Sequence, residues 1–108
     1  MSHIFLYGVE MKKGDIVSVV TMNGEFIGKM QSEEPLILEN PRMIVQAPEG
    51  KMGFARGVAM TGEENPKEAR FYTVSLVVPT NDQIEEAWRT ATGALVVPKK
   101  KKVIVGGE

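Results

Sequence analysis

Short runs of apolar and β-branched residues fill much of the first eighty positions. The run from Ile16 to Met22 is the clearest, because its side chains alternate between two faces as in a β-strand. Asn23-Gly24, which follows, is typical of a tight hairpin turn, since both residues adopt positive φ readily. Residues 25–30 then return as a second strand, in which Gly28 indicates a bend or a close backbone approach. The pattern predicts a bent β hairpin.

Four further stretches have the same β character, and polar or glycine-rich connections separate them. They are Ile4 to Tyr7, which Gly8 interrupts, and residues 36–47, 54–60 and 70–79. Asn40-Pro41 predicts a kink or an edge position, because proline cannot donate a hydrogen bond to a neighbouring strand. The expected connections are residues 31–35, 48–53 and 61–69. About five short strands bent by glycine are typical of a small, highly curved barrel.

The hydrophobic period changes after Pro79, from that of a strand to that of a helix. An apolar stripe with spacing i, i+3, i+4 and i+7 follows; it consists of Ile84, Ala87, Trp88 and Ala91. Thr80 with Gln83 resembles a capping box, and Gly93 stands where a helix would end. Glu85 and Arg89 are spaced for a favourable ion pair. We expect one amphipathic helix, packed on the sheet rather than docked to a partner.

Composition narrows the chemistry that this chain can carry. It has 108 residues, a net charge of −1, no cysteine and a single histidine, His3. This length predicts one domain. The lack of cysteine excludes a disulfide framework and a thiol nucleophile, and one histidine gives little support to a metal cluster or a Ser-His-Asp triad. Glu10, Asp15 and Glu25 leave an acid/base pair or a metal site open, but no nucleophile or patterned ligand set accompanies them.

We therefore expect no catalytic residue, no metal and no cofactor, and we expect that the protein is not an enzyme. No stretch approaches 18 uninterrupted apolar residues, which predicts no membrane span. The first 14 residues lack a basic leader followed by an apolar run, which predicts no signal peptide. The expected location is the cytoplasm.

Two motifs within about residues 14–60 carry a family resemblance. The first motif comprises Val17 and Val19, the Asn23-Gly24 turn, an apolar residue at Phe26 or Ile27, the bending Gly28, and Leu36, Leu38 and Glu39 on a third strand. The second is FARGVAM, in which the matching positions are Ala55, Arg56, Gly57, Val58 and Met60. In this order they resemble the motifs of Sm-like (LSm) proteins. The resemblance suggests the small Sm-like proteins carried by phages of marine cyanobacteria.

The resemblance implies a mainly β fold, a strongly bent five-stranded Sm-like barrel with one added helix near the C-terminus. In that family the fourth strand of one copy pairs with the fifth strand of the next and closes a ring. Single-stranded RNA typically binds at the pore. On this comparison residues 1–108 form a single Sm-like domain with core motifs at about residues 14–60. Residues 61–108 then supply an elaborated loop, the last strand, the helix and a basic tail.

Arg56 and Gly57 are the first RNA-binding candidates that the resemblance implies. Arg56 would stack on or pair with a nucleotide, and Gly57 would let backbone approach it. The alternative is a surface arginine beside a turn glycine. Ser32 lies with Glu33 and Glu34 in the loop where the family reads a base. The family's Asp and Asn pair has no counterpart there and two carboxylates repel phosphate, so we favour a solvated loop.

Two further groups of residues have the chemistry to bind nucleic acid. The basic cluster consists of Lys99, Lys100, Lys101 and Lys102, which either bind phosphate in a salt-dependent way or form a solvated connector or tail, the interpretation we favour. The aromatic residues of the β segments are Phe5, Tyr7, Phe54, Phe71 and Tyr72. They either stack on bases or pack in the core or an interface, and we favour packing.

The combined prediction is a ring of identical Sm-like subunits that binds single-stranded RNA or acts as an RNA chaperone. The alternative is a ring-forming structural or assembly protein without nucleotide recognition. The acidic loop and the net charge of −1 keep this alternative open.

Overall fold

In a computed structural model, the chain is described at residues 4–6 and 9–93, with side chains from residue 11 to residue 93. Within this part, eight β-strands precede one α-helix. In chain order they are β1 (Ile4–Leu6), β2 (Val9–Met11), β3 (Ile16–Thr21), β4 (Gly24–Glu33), β5 (Leu36–Gln46), β6 (Met52–Phe54), β7 (Glu68–Phe71), β8 (Leu76–Pro79) and α1 (Asp82–Thr92). The predicted mainly β fold with one added helix near the C-terminus is confirmed for these residues.

The strands form two antiparallel sheets. β1 and β2 pair only with each other among the described residues, and the remaining six form a sheet in the order β6-β5-β4-β3-β8, with β7 also paired to β5. Along β5, Leu36–Glu39 pairs with β7 and Ile44–Gln46 pairs with β6, while β4 occupies the other edge. β6 and β7 therefore lie one after the other along the same edge of β5.

A loop of residues 55–67 separates β6 from β7, and backbone hydrogen bonds to β5 hold both of its ends. The Ala55 N–H donates to the carbonyl of Met43, and the Asn40 N–H donates to the carbonyl of Lys67, each at 2.8 Å. The pairing along this edge of β5 therefore stops and resumes on either side of the loop.

The sheet bends at the two places that the sequence indicates. The pairing of β4 with β5 shifts register around Gly28, where an added Cβ would lie 2.9 Å from Cβ of Leu38. Only glycine allows the two backbones to come this close. In β5, Asn40 has a φ of 51°, and the buried Pro41 follows it. The predicted bend at Gly28 and kink at Asn40-Pro41 are confirmed.

Apolar side chains pack on both faces of this bent sheet. On one face the buried cluster consists of Met11, Val17, Val19, Met30 and Leu38, with Leu36, Phe71, Val74 and Val77 packed against it. On the other face Ile16 and Ile27 pack against Trp88 of α1. Because successive side chains of a strand point to opposite faces, β3 supplies Val17 to the first cluster and Ile16 to the second.

The helix α1 begins and ends at recognisable caps. The side chain of Asn81 accepts a hydrogen bond from the N–H of Ile84 at 2.9 Å, and Gly93 has the left-handed φ of 73° that terminates the helix. Arg89 donates to a carboxylate oxygen of Glu85 at 2.8 Å, which confirms the predicted pair. Trp88 is 1% exposed, and its indole N–H donates to the carbonyl of Asn40 at 2.9 Å. The helix is thereby fixed to β5 at the bend.

Two expectations for the helix are corrected. Thr80 does not cap it, because the Thr80 hydroxyl lies 2.8 Å from the hydroxyl of Ser18 in a buried pair. The cap is the next residue, Asn81. The predicted apolar stripe also buries less than its spacing suggests, since Ala87 and Ala91 are exposed.

The strand boundaries differ from prediction in several places. The described sheet is not a closed five-stranded barrel: it has six strands, and no ladder joins β7 to β8 in the described part. Residues 54–60 are strand only at Phe54, and the apolar run 70–79 divides into β7 and β8. It divides because β7 pairs with β5 whereas β8 pairs with β3, so the chain must turn through residues 72–75.

The β3–β4 and β4–β5 hairpin turns are also shifted from their predicted positions. Thr21 pairs with Gly24, so the turn consists of Met22 and Asn23, and Gly24 begins β4 with a positive φ of 150°. Ser32 pairs with Ile37, so β4 runs through most of the predicted connection at residues 31–35.

Candidate functional site

The loop that interrupts the edge of β5 carries Arg56 and Gly57. Nη1 of Arg56 donates to Oε2 of Glu64 at 2.8 Å, and the two side chains are 85% and 61% exposed. A Cβ added to Gly57 would lie 3.1 Å from the carbonyl oxygen of Glu63. The loop therefore folds back on itself, and Gly57 makes a close backbone approach to this loop rather than facing open solvent.

An open cavity of about 520 Å³, here called the loop cavity, lies beside this ion pair. Its lining consists of Met43, Arg56, Gly57, Val58, Ala59, Met60, Gly62, Glu63 and Glu64. A phosphate entering the loop cavity meets the carboxylates of Glu63 and Glu64 as well as the guanidinium of Arg56. To bind it, Arg56 must exchange Glu64 for the phosphate. Such an exchange costs little, because an exposed ion pair contributes only about 0–1 kcal/mol.

A second open cavity, of about 620 Å³, lies where the β4–β5 turn meets the connection from β7 to β8; we call it the corner cavity. Its lining consists of Glu33, Glu34, Pro35, Leu36, Phe71, Tyr72, Val74, Ser75, Leu76 and Val77. Tyr72 is 83% exposed at its rim, whereas Phe71 packs edge to face on Phe26 with 5.2 Å between ring centroids. The corner cavity is therefore apolar in its walls and acidic at one side.

Glu33 has an unusual environment within the corner cavity. Its Oε1 is buried from solvent and accepts no hydrogen bond from the described part of the chain. A buried acceptor without a donor costs about 1–3 kcal/mol, and a charged acceptor costs more. A hydrogen-bond donor that reached this oxygen, once the Glu33 side chain turned towards the cavity, would therefore lower the free energy of the site.

The structure does not bring the predicted RNA-binding residues together. Arg56 and Gly57 line the loop cavity, which lies beside Met43 in the C-terminal half of β5. Ser32 is in β4 opposite Ile37, at the N-terminal end of β5, and it lines neither cavity. The predicted Lys99, Lys100, Lys101 and Lys102 lie outside the described residues. The RNA-binding assignments of these residues remain predictions.

Arg42 is a charged residue whose position the sequence does not predict. It is 8% exposed and lies opposite Ile27 in the pairing of β4 with β5. Nη1 of Arg42 donates to the carbonyl of Pro41 at 2.9 Å. Desolvation by burial lowers the pKa of Arg42 from its ordinary value. A buried cation with this single hydrogen bond in the described part of the chain is costly for the fold, and no sequence pattern around Arg42 marks it as buried.

The edge strands expose apolar side chains in the described part of the chain. Leu76 and Val78 of β8 are 47% and 43% exposed, and Met52 of β6 is 60% exposed. β8 pairs with β3 on one side, and among the described residues no strand pairs with its other side. Open strand edges with apolar side chains readily pair with another chain.

The residues that the structure describes contain neither a metal site nor a membrane-spanning helix. Among them, no group of three or more His, Asp or Glu side chains is arranged to hold a metal ion. The helical part of residues 4–6 and 9–93 contains no segment with the length and apolarity needed to cross a bilayer.

Comparison with known proteins adds no relative. The chain matches no protein-family model, no curated protein and no solved structure.

Proposed function

We propose that this chain is the subunit of a closed homo-oligomer of the Sm-like kind, whose copies join by backbone pairing between sheet edges. The observation that carries the proposal is the pair of incompletely covered edges, β6 and β8, with their exposed Met52, Leu76 and Val78. A contact between two different edges of identical subunits repeats from copy to copy and closes into a ring when its rotation permits.

The strand order supports the Sm-like form of this assembly. If β6 and β7 count as one strand interrupted by the loop at residues 55–67, five strands follow β2 along the chain. Their spatial order is then fifth, first, second, third and fourth, since β8 pairs with β3 and the interrupted strand pairs with β5. The resemblance assigns the contact between copies to the fourth and fifth strands, which here are the two outermost strands.

Light scattering coupled to size-exclusion chromatography tests the assembly. The mass of one subunit is 11.9 kDa, so we expect the measured mass to be a whole-number multiple of this value greater than one. Leu76→Lys with Val78→Lys should reduce the mass towards 11.9 kDa, because lysine on an edge strand opposes pairing between chains. Met22→Lys is the control, since Met22 is 93% exposed in the β3–β4 hairpin turn and belongs to neither edge strand. A wild-type protein that stays at 11.9 kDa across micromolar concentrations would exclude the proposal.

Single-stranded RNA binding or RNA chaperoning is the second candidate function. The observation that favours it is Arg56, whose side chain is 85% exposed at the edge of the loop cavity. The charge distribution weighs against it, because residues 11–93 hold nine of the thirteen Lys and Arg but twelve of the fourteen Asp and Glu. For this reason we place RNA binding after assembly.

An electrophoretic shift with uridine-rich and adenine-rich oligonucleotides tests RNA binding. We expect Arg56→Ala to weaken any shift at low salt, whereas Arg70→Ala, which removes an exposed arginine of β7, should not. Arg56→Ala should leave the fold intact, because its exposed ion pair contributes at most about 1 kcal/mol. If neither oligonucleotide shifts at low salt, or if both variants weaken binding equally, Arg56 does not define an RNA site.

A further inference from the structure

The corner cavity has the chemistry of a site for a positively charged, partly aliphatic group. Leu36, Phe71 and Val77 contribute to its apolar walls, and Glu33 and Glu34 add carboxylates from the β4–β5 turn. Lysine and arginine side chains suit such walls, because their aliphatic stems pack on apolar surface while the charged end meets a carboxylate. A phosphate or a free carboxylate is disfavoured by repulsion from Glu33 and Glu34.

The buried oxygen of Glu33 strengthens this conclusion. Oε1 of Glu33 is shielded from water and accepts no hydrogen bond from the described residues. An ammonium group has three donors and no acceptor, so a lysine at the cavity supplies the missing hydrogen bond when the Glu33 side chain turns towards it. Hydrogen bonds between an ammonium and a carboxylate are roughly twice as strong as neutral ones.

We propose that the corner cavity binds the segment Leu95–Lys102 of its own chain. In this segment Leu95, Val96, Val97 and Pro98 stand directly before the four lysines. Its apolar half matches the walls of the cavity, and its lysines match Glu33 and Glu34. The corner cavity borders the β8 edge of the proposed assembly, because Leu76 and Val77 of β8 also line it, and the two proposals are tested separately.

Charge and reach both support this occupant. Residues 94–108 contain four lysines and one glutamate, whereas residues 11–93 carry an excess of acidic groups. The segment is therefore attracted to the part of the protein that contains the cavity. The nine residues 94–102 span roughly 30 Å when extended, compared with principal extents of 43, 38 and 25 Å. That length is sufficient to cross much of one subunit.

Zero-length carbodiimide crosslinking of the full chain, followed by peptide mass spectrometry, tests the proposal. The reagent joins a carboxylate to an amine in direct contact, so we expect amides between Glu33 or Glu34 and the lysines 99–102. Glu33→Gln with Glu34→Gln should abolish these crosslinks. The matched control is Glu63→Gln with Glu64→Gln, which removes two acidic residues of the loop cavity and should leave them unchanged. Circular dichroism establishes that both variants are folded.

An equal mixture of unlabelled and nitrogen-15-labelled protein identifies the source of the segment. After the two forms are unfolded and refolded together, crosslinks within one chain are all uniform in isotope composition, as the proposal requires. Half of the crosslinks between copies would be of mixed composition, and a mixed fraction near one half would overturn the proposed source. If the crosslinks form in a protein whose mass is that of one subunit, 11.9 kDa, the docking is supported and the proposed homo-oligomer is refuted. The proposal is overturned if these lysines join Glu33 or Glu34 no more often than Glu49, Glu63 or Glu64.

Discussion

Replacing Trp88 with alanine tests whether the helix is an integral part of the fold. Trp88 is 1% exposed, packs against Ile16 and Ile27, and donates its indole N–H to the carbonyl of Asn40 at 2.9 Å. A tryptophan side chain buries about 150–250 Å², which corresponds to about 4–6 kcal/mol at about 25 cal/mol per Å². Because alanine retains part of that area, we expect a loss of about 3–5 kcal/mol in the free energy of unfolding.

Urea denaturation followed by far-ultraviolet circular dichroism measures this loss at a fixed protein concentration. For a domain with a urea m-value of about 1–3 kcal/mol/M, a loss of 4 kcal/mol lowers the midpoint by about 1–4 M. Trp88→Phe keeps most of the ring but leaves the carbonyl of Asn40 without its donor, so it should cost about 1–3 kcal/mol. Ala87→Ser, on the exposed face of the same helix, is the control and should stay within about 0.5 kcal/mol. A loss below about 1 kcal/mol for Trp88→Ala would show that α1 is not docked on the sheet.

Three further predictions concern the interior of the sheet. Gly28→Ala should cost about 1–3 kcal/mol in urea denaturation, because its Cβ would lie 2.9 Å from a neighbouring side-chain carbon, whereas Gly53→Ala has open space and should be nearly neutral. Ser18→Ala and Thr80→Val should each cost about 1–3 kcal/mol, since each leaves the other buried hydroxyl without its partner, and the double variant should cost less than their sum. Arg42→Met should change the unfolding free energy by no more than about 1 kcal/mol, because removing a cation that burial disfavours offsets the hydrogen bond that the Pro41 carbonyl loses; a larger loss of stability would contradict the expectation.

Local signals in the sequence predicted the elements that local physics determines. The alternation around Val17 and Val19 indicated β3, and the helical spacing that includes Trp88 indicated α1. Both patterns arise because one side of each element must be buried. Gly28 marked a bend, since a side chain there would collide with β5.

The boundaries that prediction missed depend on neighbours distant in sequence. No glycine or proline interrupts residues 70–78, so nothing in that run marks the turn at residues 72–75. The strand ends there because its first half pairs with β5 and its second half with β3. Thr80 likewise carries a cap signal, but a hydroxyl 62 positions earlier, that of Ser18, engages it.

The candidate site was predictable only in part. The sequence singled out Arg56, Gly57 and the carboxylates near Ser32, but it could not show that they lie at different ends of β5. The corner cavity forms only when Tyr72 and its neighbours fold against the β4–β5 turn, which is about 40 positions away along the chain. Such a meeting depends on tertiary packing, and no local spacing records it.

The backbone hydrogen bonds at Ala55 and Asn40 have a consequence for engineering this protein. They close the loop at residues 55–67 from both ends, so lengthening the chain between them removes neither bond. The free-energy cost of closing a longer loop grows only slowly, by about 0.6 kcal/mol for each doubling. A foreign peptide or an affinity tag inserted near Thr61 and Gly62 should therefore be displayed on the surface without loss of folding.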